Sequence, residues 1–270
     1  MGDKGGKKRA WSVVSDSQPE TCRRIRVLIS LSEADRLRVV LVKTRNPLNI
    51  GAAARAMSNF GVRRLRVVTP FDPAFRQARS AVGASQVLAS AEEYKSLAEA
   101  VADCSLVIGT TAVRHRELQH PLKQLDQAGG LVRKQLQSGT VALLFGSEKA
   151  GLSNEDLSHC HWLIHIPTHE AQISMNLGQA VAVCLYELVR SAPVEATTDS
   201  AERATAGDAE RLTENWLDAL QMSGYVKPGT AALVEDKIRR LMRRLTLDAY
   251  DAKLLLGMLR QIVWKLKQKE

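Results

Sequence analysis

Short apolar runs alternate with helical patterns through the middle of the chain. The first run, LRVVLVKT at 37–44, is continuous, as expected for a strand that is buried on both faces of a sheet. Four similar runs predict further strands at 65–70, 104–112, 140–146 and 161–168. Helical patterns lie between and after them, at 52–61, 96–103, 129–138 and 174–191. Strands that alternate with helices predict an α/β fold with a parallel sheet.

The two ends of the chain depart from this alternation. Residues 1–36 are interpreted as a basic N-terminal extension, in which 1–20 are aperiodic and 23–30 are either a short strand or part of the same arm. Residues 37–191 form the predicted α/β domain. The small polar residues of 192–209 predict a linker. Beyond it, 210–270 is predicted to form a helical extension, with amphipathic patterns at 211–225, 231–246 and 248–268.

Composition excludes several classes of protein. No stretch of eighteen apolar residues is present, so no membrane-spanning helix is expected. The basic start of the chain is not followed by an apolar run, so no secretory signal is expected either. The four cysteines are far apart and form no C-x-x-C pair, which favours a reducing cytoplasm; they are Cys22, Cys104, Cys160 and Cys184.

Positive charge is concentrated in two parts of the chain. Lys and Arg number 38 against 29 Asp and Glu, and residues 41–80 contain eight basic residues with Asp72 as their one acidic residue. A second basic stripe lies in the C-terminal extension, at Lys237, Arg239, Arg240, Arg243 and Arg244. Such asymmetry suits a polyanionic partner. The stripe in particular is expected to contact the phosphates of RNA. Solvated surface charge, over a small helical core, is the competing interpretation.

The aromatic and histidine residues near these segments are expected to have structural roles rather than to bind a ligand. Trp216, Tyr225 and Trp264 are expected in the core of the extension rather than as platforms for stacked bases. His159, Cys160 and His161 resemble no standard metal-ligand spacing, and His161 falls on a predicted strand, so no metal is expected.

Three glycine-containing loops follow predicted strands, where α/β proteins bind their ligands. The first, N-P-L-N-I-G-A-A-A-R, places Asn49 beside a helix start and Arg55 about one turn inside it. The second, F-G-S-E-K-A-G-L, contains Gly146 and Glu148. The third joins I-P-T to I-S-M-N-L-G-Q-A-V, in which a helix cap explains Ser174 or Asn176 but not both. Neither the G-x-G-x-x-G fingerprint of dinucleotide-binding proteins nor a P-loop is present.

In their order and spacing these loops resemble the three motifs of the SpoU/TrmH-type RNA ribose 2′-O-methyltransferases of the SPOUT superfamily. The motifs are N-x-G-A-x-x-R, F-G-x-E-x-x-G-L and S-x-N-L-x-x-A-V, and the resemblance covers about residues 37–191. The resemblance continues weakly into the C-terminal extension. There the chain resembles those members of the family that modify tRNA. Ser147 departs from the second motif, because many members of the family have arginine there.

The resemblance implies a parallel-sheet α/β knot, a deep trefoil, and a homodimer. It also implies S-adenosylmethionine as the cofactor, bound largely by backbone groups. The residues that match the family's cofactor pocket are Thr110, Thr111, Ala112, Gly146, Ile166, Ile173, Ser174 and Met175. Those that match its catalytic site are Arg55, with Asn49, Glu148, Ser174 and Asn176. In the family, the arginine of one subunit is expected to complete the site of the other.

The implied reaction is methyl transfer to a ribose 2′-oxygen of tRNA, at the cytidine or uridine two positions before the anticodon. Arginine stays protonated in proteins, so Arg55 is expected to stabilise the developing alkoxide or to orient the hydroxyl. Ribosomal RNA is a second candidate substrate. Two competing interpretations of the whole chain are a Rossmann-type enzyme and an RNA-binding relative without catalysis. The first lacks its glycine fingerprint, and the joint presence of the five catalytic residues argues against the second.

Overall fold

The structure is a computed structural model that describes residues 30–70, 73–112, 119–169, 174–190 and 202–268. Most of the expected N-terminal extension, much of the expected linker and Ile173 therefore lie outside the described residues. Among the described residues, no helix is long and apolar enough to cross a membrane.

A parallel sheet of seven strands forms the centre of the described structure. In chain order the strands are β1 Leu37–Val42, β2 Arg64–Val68, β3 Glu92–Tyr94, β4 Leu106–Thr111, β5 Leu122–Gln124, β6 Val141–Phe145 and β7 Trp162–His165. Their order across the sheet is β3-β2-β1-β6-β4-β7-β5, and every described pairing is parallel. The α/β prediction is therefore confirmed.

Ten α-helices and one short 3₁₀ helix, Pro73–Gln77, accompany the sheet in the described residues. The helices of the α/β domain are α1 Leu31–Arg36, α2 Pro47–Asn59, α3 Ser85–Ala89, α4 Leu97–Val101, α5 Leu125–Ser138, α6 Asn154–Ser158 and α7 Leu177–Arg190. The helices of the C-terminal extension are α8 Ala206–Met222, α9 Ala231–Leu245 and α10 Ala249–Lys267. The predicted helical extension is thus present.

Local chemistry explains where the predicted boundaries are wrong. Helix α2 begins at Pro47 rather than at residue 52, because Asn46 caps it and proline suits the first helical position. Helix α8 begins at Ala206, inside the predicted linker, because Thr205 and Asp208 form a capping box. A similar box starts α1 within the expected N-terminal extension.

Two hydrophobic clusters cover the two faces of the sheet. Alternate residues of the central strands, such as Val39 and Leu41 of β1, pack with α2, α5 and α7 on one face. Val40 and Val42 point to the opposite face, where α4, α6 and the start of α8 cover them. The strands are buried on both sides, which explains their continuous apolar runs.

The C-terminal extension docks on that second face. The N–H groups of Ala206 and Gly207 donate to the carbonyl oxygens of Cys104 and Ala102, at 2.7 and 2.9 Å. The extension also has its own apolar core, which includes Leu212, Met242 and Leu256.

The strand order places the last strand inside the sheet. β7 lies between β4 and β5, which both precede it in the chain. This strand order is consistent with the knotted fold that the resemblance implies, although connections between strands rarely thread past each other in proteins.

Candidate active site

A cavity of about 420 Å³ opens at the carboxyl ends of β4, β6 and β7. This is the edge of a parallel sheet where α/β proteins bind ligands, and the volume is typical of small-molecule pockets. Residues that line it are Thr110, Thr111, Ala112, Phe145, Gly146, Ser147, Glu148, Lys149, Ala150, Gly151, Leu152, Ile166, Thr168, Ser174, Met175, Leu177 and Ala180. The second and third loops therefore meet at one cavity.

The structure brings together seven of the eight residues expected to bind a cofactor. Thr110, Thr111, Ala112, Gly146, Ile166, Ser174 and Met175 line the cavity. Ile173 is the eighth, and it lies outside the described residues. The sequence did not predict Leu152, Thr168, Leu177 or Ala180 as lining residues, and of these Leu152 and Leu177 are buried. The F-G-x-E-x-x-G-L motif ends at Leu152, so that residue had a sequence signal.

Gly146 and Gly151 let the second loop fold back on itself at the rim of the cavity. A Cβ on Gly146 would lie 2.0 Å from the carbonyl carbon of Gly151 and 2.2 Å from the nitrogen of Leu152, so only glycine fits there. Gly151 has a φ of 67°, which favours glycine as well. Its N–H donates to the carbonyl of Ser147 at 2.8 Å. The side-chain hydroxyl of Ser147, the departure from the family motif, accepts from the N–H of Ala150 at 3.3 Å and so stabilises the turn as well.

A chain of side-chain hydrogen bonds joins all three loops. The amide nitrogen of Asn176 donates to Oδ1 of Asn49 at 3.2 Å, and the amide nitrogen of Asn49 donates to Oε1 of Glu148 at 2.8 Å. These residues are far apart in sequence, so the fold alone brings them together. Three of the five expected catalytic residues are therefore in direct contact.

Glu148 binds the start of α2. Its carboxylate accepts hydrogen bonds from the backbone N–H groups of Arg45 and Asn46, at 3.1 and 3.3 Å. Partial burial raises the pKa of Glu148, but the hydrogen bonds from Asn49 and the backbone outweigh it and hold the pKa below its usual value. A carboxylate at a helix N-terminus also interacts favourably with the helix dipole.

Asn176 and Ser174 have different roles in the structure, and only one of them caps a helix, as the sequence predicts. Oδ1 of Asn176 accepts from the N–H of Gly178 at 2.9 Å, so this residue caps α7 while its amide nitrogen contacts Asn49. Ser174 is exposed and lines the cavity. Gly178 allows α7 to approach α2 closely, since a Cβ there would lie 2.7 Å from the Cβ of Ala52.

Arg55 lies apart from this cavity. It is exposed on α2, two turns beyond the helix start, between the buried residues Ala54 and Ala56. It does not line the cavity, whereas Glu148 and Ser174 do. The structure therefore does not bring Arg55 to the pocket of its own chain.

The basic stripe of α9 divides into two sets. Arg239 and Arg243 are 6% and 1% exposed, and both contact Glu210 of α8. Arg239 also donates to Ser158 at 3.3 Å, and Arg243 donates to the carbonyl of Ala206 at 3.0 Å. The prediction that Arg239 and Arg243 contact RNA is therefore wrong, because their guanidinium groups are buried in the docking interface of the extension. Lys237 and Arg244 are exposed, and Arg240 is partly exposed.

The structure also contradicts the predictions made for two aromatic residues. Tyr225 and Trp264 are 69% and 52% exposed, so the expectation that they lie in the core is wrong. Trp216 packs against the core of the extension, as expected.

Nδ1 of His161 accepts from the N–H of Val107 at 3.0 Å. Within the described ranges, no group of three or more His, Cys, Asp or Glu could hold a metal ion.

Comparisons with known proteins agree with the three motifs. A family model described as the SpoU rRNA Methylase family matches residues 36–186. The tRNA (cytidine/uridine-2′-O-)-methyltransferase TrmJ of Photorhabdus laumondii is 34% identical over 234 residues, which are 84% of this chain and 97% of that protein. The protein of the same name from Sodalis glossinidius is 35% identical over 232 residues, which are 84% and 91% of the two chains.

A solved structure extends the similarity to the fold. The crystal structure of TrmJ from Z. mobilis ZM4 has a TM-score of 0.75 and 32% sequence identity, and the match covers 83% of this chain and 98% of that chain. The resemblance that the three loops indicated is therefore confirmed, and the chain belongs to the SpoU methylase family.

Proposed function

We propose that the protein is an S-adenosylmethionine-dependent enzyme that methylates a ribose 2′-hydroxyl of tRNA. The observation that carries the proposal is the contact between Asn49, Glu148 and Asn176, which joins the three motifs at the rim of one cavity. Similarity to proteins named tRNA (cytidine/uridine-2′-O-)-methyltransferase supports a pyrimidine nucleotide of tRNA as the substrate. The site two positions before the anticodon follows from the resemblance alone.

The cavity suits S-adenosylmethionine in size and chemistry. Its walls include the apolar side chains of Leu152, Met175 and Leu177, against which a purine ring can pack. The glycines at 146 and 151 leave backbone N–H and carbonyl groups close to the cavity. The residues proposed to hold the cofactor are Thr110, Thr111, Ala112, Gly146, Ile166, Ile173, Ser174 and Met175. When bound, the cofactor supplies a methyl group on a positively charged sulfur.

Arg55 is proposed to act on the ribose. As the 2′-oxygen forms a bond to carbon, its proton has to pass to solvent, so negative charge develops on the oxygen before the transfer is complete. A guanidinium group stays protonated and can stabilise that charge, or it can hold a neighbouring phosphate so that the hydroxyl is aligned. Displacement in line depends on alignment, so a fixed arginine contributes through positioning as well.

The polar chain at the rim is proposed to hold the site in shape. Glu148 fixes the start of α2, the helix that bears Arg55, and Asn49 links Glu148 to Asn176 at the start of α7. Ser174 lies at the cavity, where its hydroxyl can contact cofactor or ribose. Asn49, Glu148 and Asn176 are thus proposed as positioning residues.

A homodimer is proposed to complete the site. Arg55 is exposed on α2 and lies away from the cavity of its own chain. Apolar side chains are also exposed on α2 and α7, at Leu48, Val183 and Tyr186. An exposed apolar surface of this kind is typical of protein interfaces. A two-fold dimer through α2 and α7 buries these side chains and brings Arg55 of one chain towards its partner.

The C-terminal extension is proposed to bind tRNA. Lys237, Arg240 and Arg244 lie three and four residues apart on α9, so they share one face of that helix. Phosphate contacts by such cations release counterions and dominate the affinity of most RNA-binding surfaces. The organisation proposed for the chain is therefore a catalytic domain at 37–191 and an RNA-binding extension that begins at α8.

Mass spectrometry of RNA tests this function directly. The purified protein is incubated with S-adenosylmethionine and with tRNA or ribosomal RNA from a strain that lacks the gene. Nuclease digestion then identifies any new 2′-O-methylated nucleotide and its position. We expect a methylated cytidine or uridine in the tRNA anticodon loop and none in ribosomal RNA.

Ribosomal RNA is the second candidate substrate, because the matching family is described by that RNA. A new 2′-O-methyl nucleotide in ribosomal RNA alone would overturn the tRNA assignment and retain the reaction. Binding of S-adenosylmethionine without methylation of either RNA would favour a relative that has lost catalysis.

A further inference from the structure

Lys149 lies at the tip of the second loop, at the mouth of the cavity. Ser147 and Gly151 pair as an antiparallel bridge, and the three residues between them form a turn. The N–H of Gly151 donates to the carbonyl of Ser147 at 2.8 Å, and the N–H of Ala150 donates to its hydroxyl at 3.3 Å. These contacts fix the backbone of the turn, while the side chain of Lys149 is exposed and lines the cavity.

The cavity contains one positive charge that no described residue neutralises. Among the described residues that line it, Glu148 and Lys149 are the two with charged side chains. The carboxylate of Glu148 is already occupied, because it accepts hydrogen bonds from Asn49 and from two N–H groups at the start of α2. Lys149 forms no ion pair with any residue in the described part of the chain. The turn therefore presents an available ammonium group at the cavity.

Two anionic groups come near this ammonium group in the proposed reaction. One is the carboxylate of S-adenosylmethionine, which has an ammonium group on the adjacent carbon and is therefore already balanced in charge. The other is a phosphodiester of the RNA, which has no cation of its own and releases a condensed counterion when a lysine binds it. Lysine is a compact charge with three N–H donors, which suits the oxygens of a phosphate. The RNA phosphate therefore gains more from Lys149 than the cofactor does.

The position of Lys149 agrees with where such a phosphate has to lie. If the cofactor occupies the cavity, the ribose has to present its 2′-oxygen to the methyl group from the mouth. The neighbouring 3′-oxygen of the same ribose bears a phosphodiester, so this phosphate lies at the mouth as well. Lys149 is exposed there, and its flexible four-carbon stem allows the ammonium group to follow the phosphate.

We propose that Lys149 binds the phosphodiester on the 3′-oxygen of the methylated ribose and so holds the target nucleotide over the cofactor. The proposal rests on the proposed function, since it takes tRNA as the substrate and S-adenosylmethionine as the occupant of the cavity. It adds a substrate-binding residue to the chain that holds the cofactor, whereas Arg55 is proposed to come from the partner chain. The ribose is then held from two sides, by one cation of each chain.

The first experiment compares variants of the full chain in tRNA binding over a range of salt concentrations. Lys149→Gln should weaken binding at low salt by about tenfold, because a hydrogen bond between charged groups is lost. It should also reduce the slope of log K against log salt by about 0.7, the contribution of one phosphate in a single strand. Lys149→Arg should stay within about threefold of the unaltered protein, because a guanidinium group also binds phosphate.

Lys134→Gln is the matched control. Lys134 is an exposed lysine near the end of α5, the helix that leads into β6. It therefore lies near the amino ends of the strands, whereas the cavity opens at their carboxyl ends. This variant should bind tRNA like the unaltered protein at every salt concentration.

A neutral linkage in the substrate identifies the phosphate that Lys149 contacts. A tRNA is assembled by ligation with one uncharged methylphosphonate linkage on the 3′ side of the target nucleotide. The unaltered protein should bind this tRNA about tenfold less tightly than the normal one. Lys149→Gln should bind the two tRNAs equally, because the charge that recognises the phosphate is already absent. Losses that simply multiply would show that Lys149 contacts another group and would overturn the proposal.

Cofactor binding separates this proposal from its alternative and from the proposed function. Calorimetric titration should give Lys149→Gln the same affinity for S-adenosylmethionine as the unaltered protein, within about twofold. A loss of cofactor affinity as large as the loss of tRNA affinity would assign the lysine to the cofactor's carboxylate and overturn the proposal. If the unaltered protein methylates no tRNA, the proposed function itself fails. If it does, and Lys149→Gln binds tRNA like Lys134→Gln, only the role of Lys149 is refuted.

Discussion

At the scale of single residues, the side chain of Asn49 forms hydrogen bonds through both the oxygen and the nitrogen of its amide. It accepts from Asn176 and donates to Glu148, so it connects the third loop to the second while lying in the first. Its contacts bring the three separate motifs together at one site. Arg55 lies on the same helix, α2, but contacts no residue of this network in the described structure.

Replacement of Arg55 should separate catalysis from cofactor binding. Arg55→Ala is expected to reduce methyl transfer to tRNA by at least about a hundredfold, because charge on the 2′-oxygen would no longer be stabilised. The affinity for S-adenosylmethionine should change by less than about twofold, since Arg55 does not line the cavity. Single-turnover kinetics and calorimetric titration measure the two quantities.

Two further variants complete this test. Arg55→Lys should also fail, because an ammonium group does not reproduce the planar fork of a guanidinium. Arg63→Ala is the control, since Arg63 is an exposed arginine just beyond α2, and it should leave the rate unchanged. Loss of cofactor affinity in parallel with activity would instead place Arg55 in the cavity or in the fold.

At the scale of elements, the docking of α9 depends on charges buried between helices. Burial lowers the pKa of Arg243 to about 10, with Glu210 acting in the opposite direction, so the group remains protonated at neutral pH. Removal of one partner from a buried ion pair leaves an uncompensated charge, which costs about 3–5 kcal/mol. The inward arginines therefore secure the extension on the catalytic domain.

Two buried histidines at the end of α6 and the start of β7 predict a loss of stability in mild acid. Burial, followed by the charge of Arg239 for His159 and of Arg243 for His161, lowers both pKa values to about 3. Unfolded histidine has a pKa near about 6.5, so below that pH the unfolded state binds more protons than the folded state. The free energy of unfolding should fall by about 1.4 kcal/mol for each histidine between about pH 7.5 and about pH 5.5.

Urea unfolding of the full chain at those two pH values measures this effect. In the variant His159→Leu, the loss of stability between the two pH values should be smaller by about the contribution of one histidine. Carboxyl groups titrate mainly below this range, so they contribute little to the difference. An identical loss in the variant and the unaltered protein would contradict the buried neutral state of His159.

The elements show which features the sequence could predict. Five of the seven strands are predictable, because each contains a run of apolar residues that is buried in the sheet. β3 and β5 are not predictable, since each is a three-residue strand at an edge of the sheet with polar residues and no apolar run. The start of α2 is predicted too late because Asn46 and Pro47 favour a loop in isolation, and the cap becomes evident only in the structure.

The candidate site is predictable to a similar extent. Glycine-containing motifs at strand ends identify the lining of the cavity, because backbone approach requires particular residue types. The positions of the α9 arginines do not follow from spacing. Arg239 and Arg240 are adjacent in sequence, yet one contacts Glu210 in the interior and the other contacts Gln119 at the surface. The distinction depends on which face of α9 packs against α6 and α8, which is a tertiary property.

At the scale of the whole molecule, the two faces of the sheet are used differently. The extension covers the face with α4 and α6, whereas α2 and α7 leave apolar side chains exposed on the opposite face. A dimer through α2 and α7 therefore does not compete with docking of the extension. In the proposed dimer, each cavity is expected to meet Arg55 of the partner, and two-fold symmetry would then make the two composite sites identical.

Mixed dimers test whether the sites are shared. One chain contains Arg55→Ala and an intact cavity. The second chain retains Arg55 and contains Gly146→Arg, in which even the Cβ would lie 2.0 Å from the backbone of Gly151, so the second loop is displaced and the cavity is filled. Each homodimer should be inactive, and calorimetric titration should show that only the first binds S-adenosylmethionine.

In a mixed dimer, the intact cavity of the first chain meets Arg55 of the second, so one of the two sites is complete. Random pairing makes about half of the dimers mixed, and about a quarter of the unaltered activity should return. If Arg55 acts within its own chain, neither chain supplies a complete site and no activity returns. Native mass spectrometry verifies that heterodimers have formed, so an inactive mixture that contains them would refute the shared site rather than reflect failed assembly.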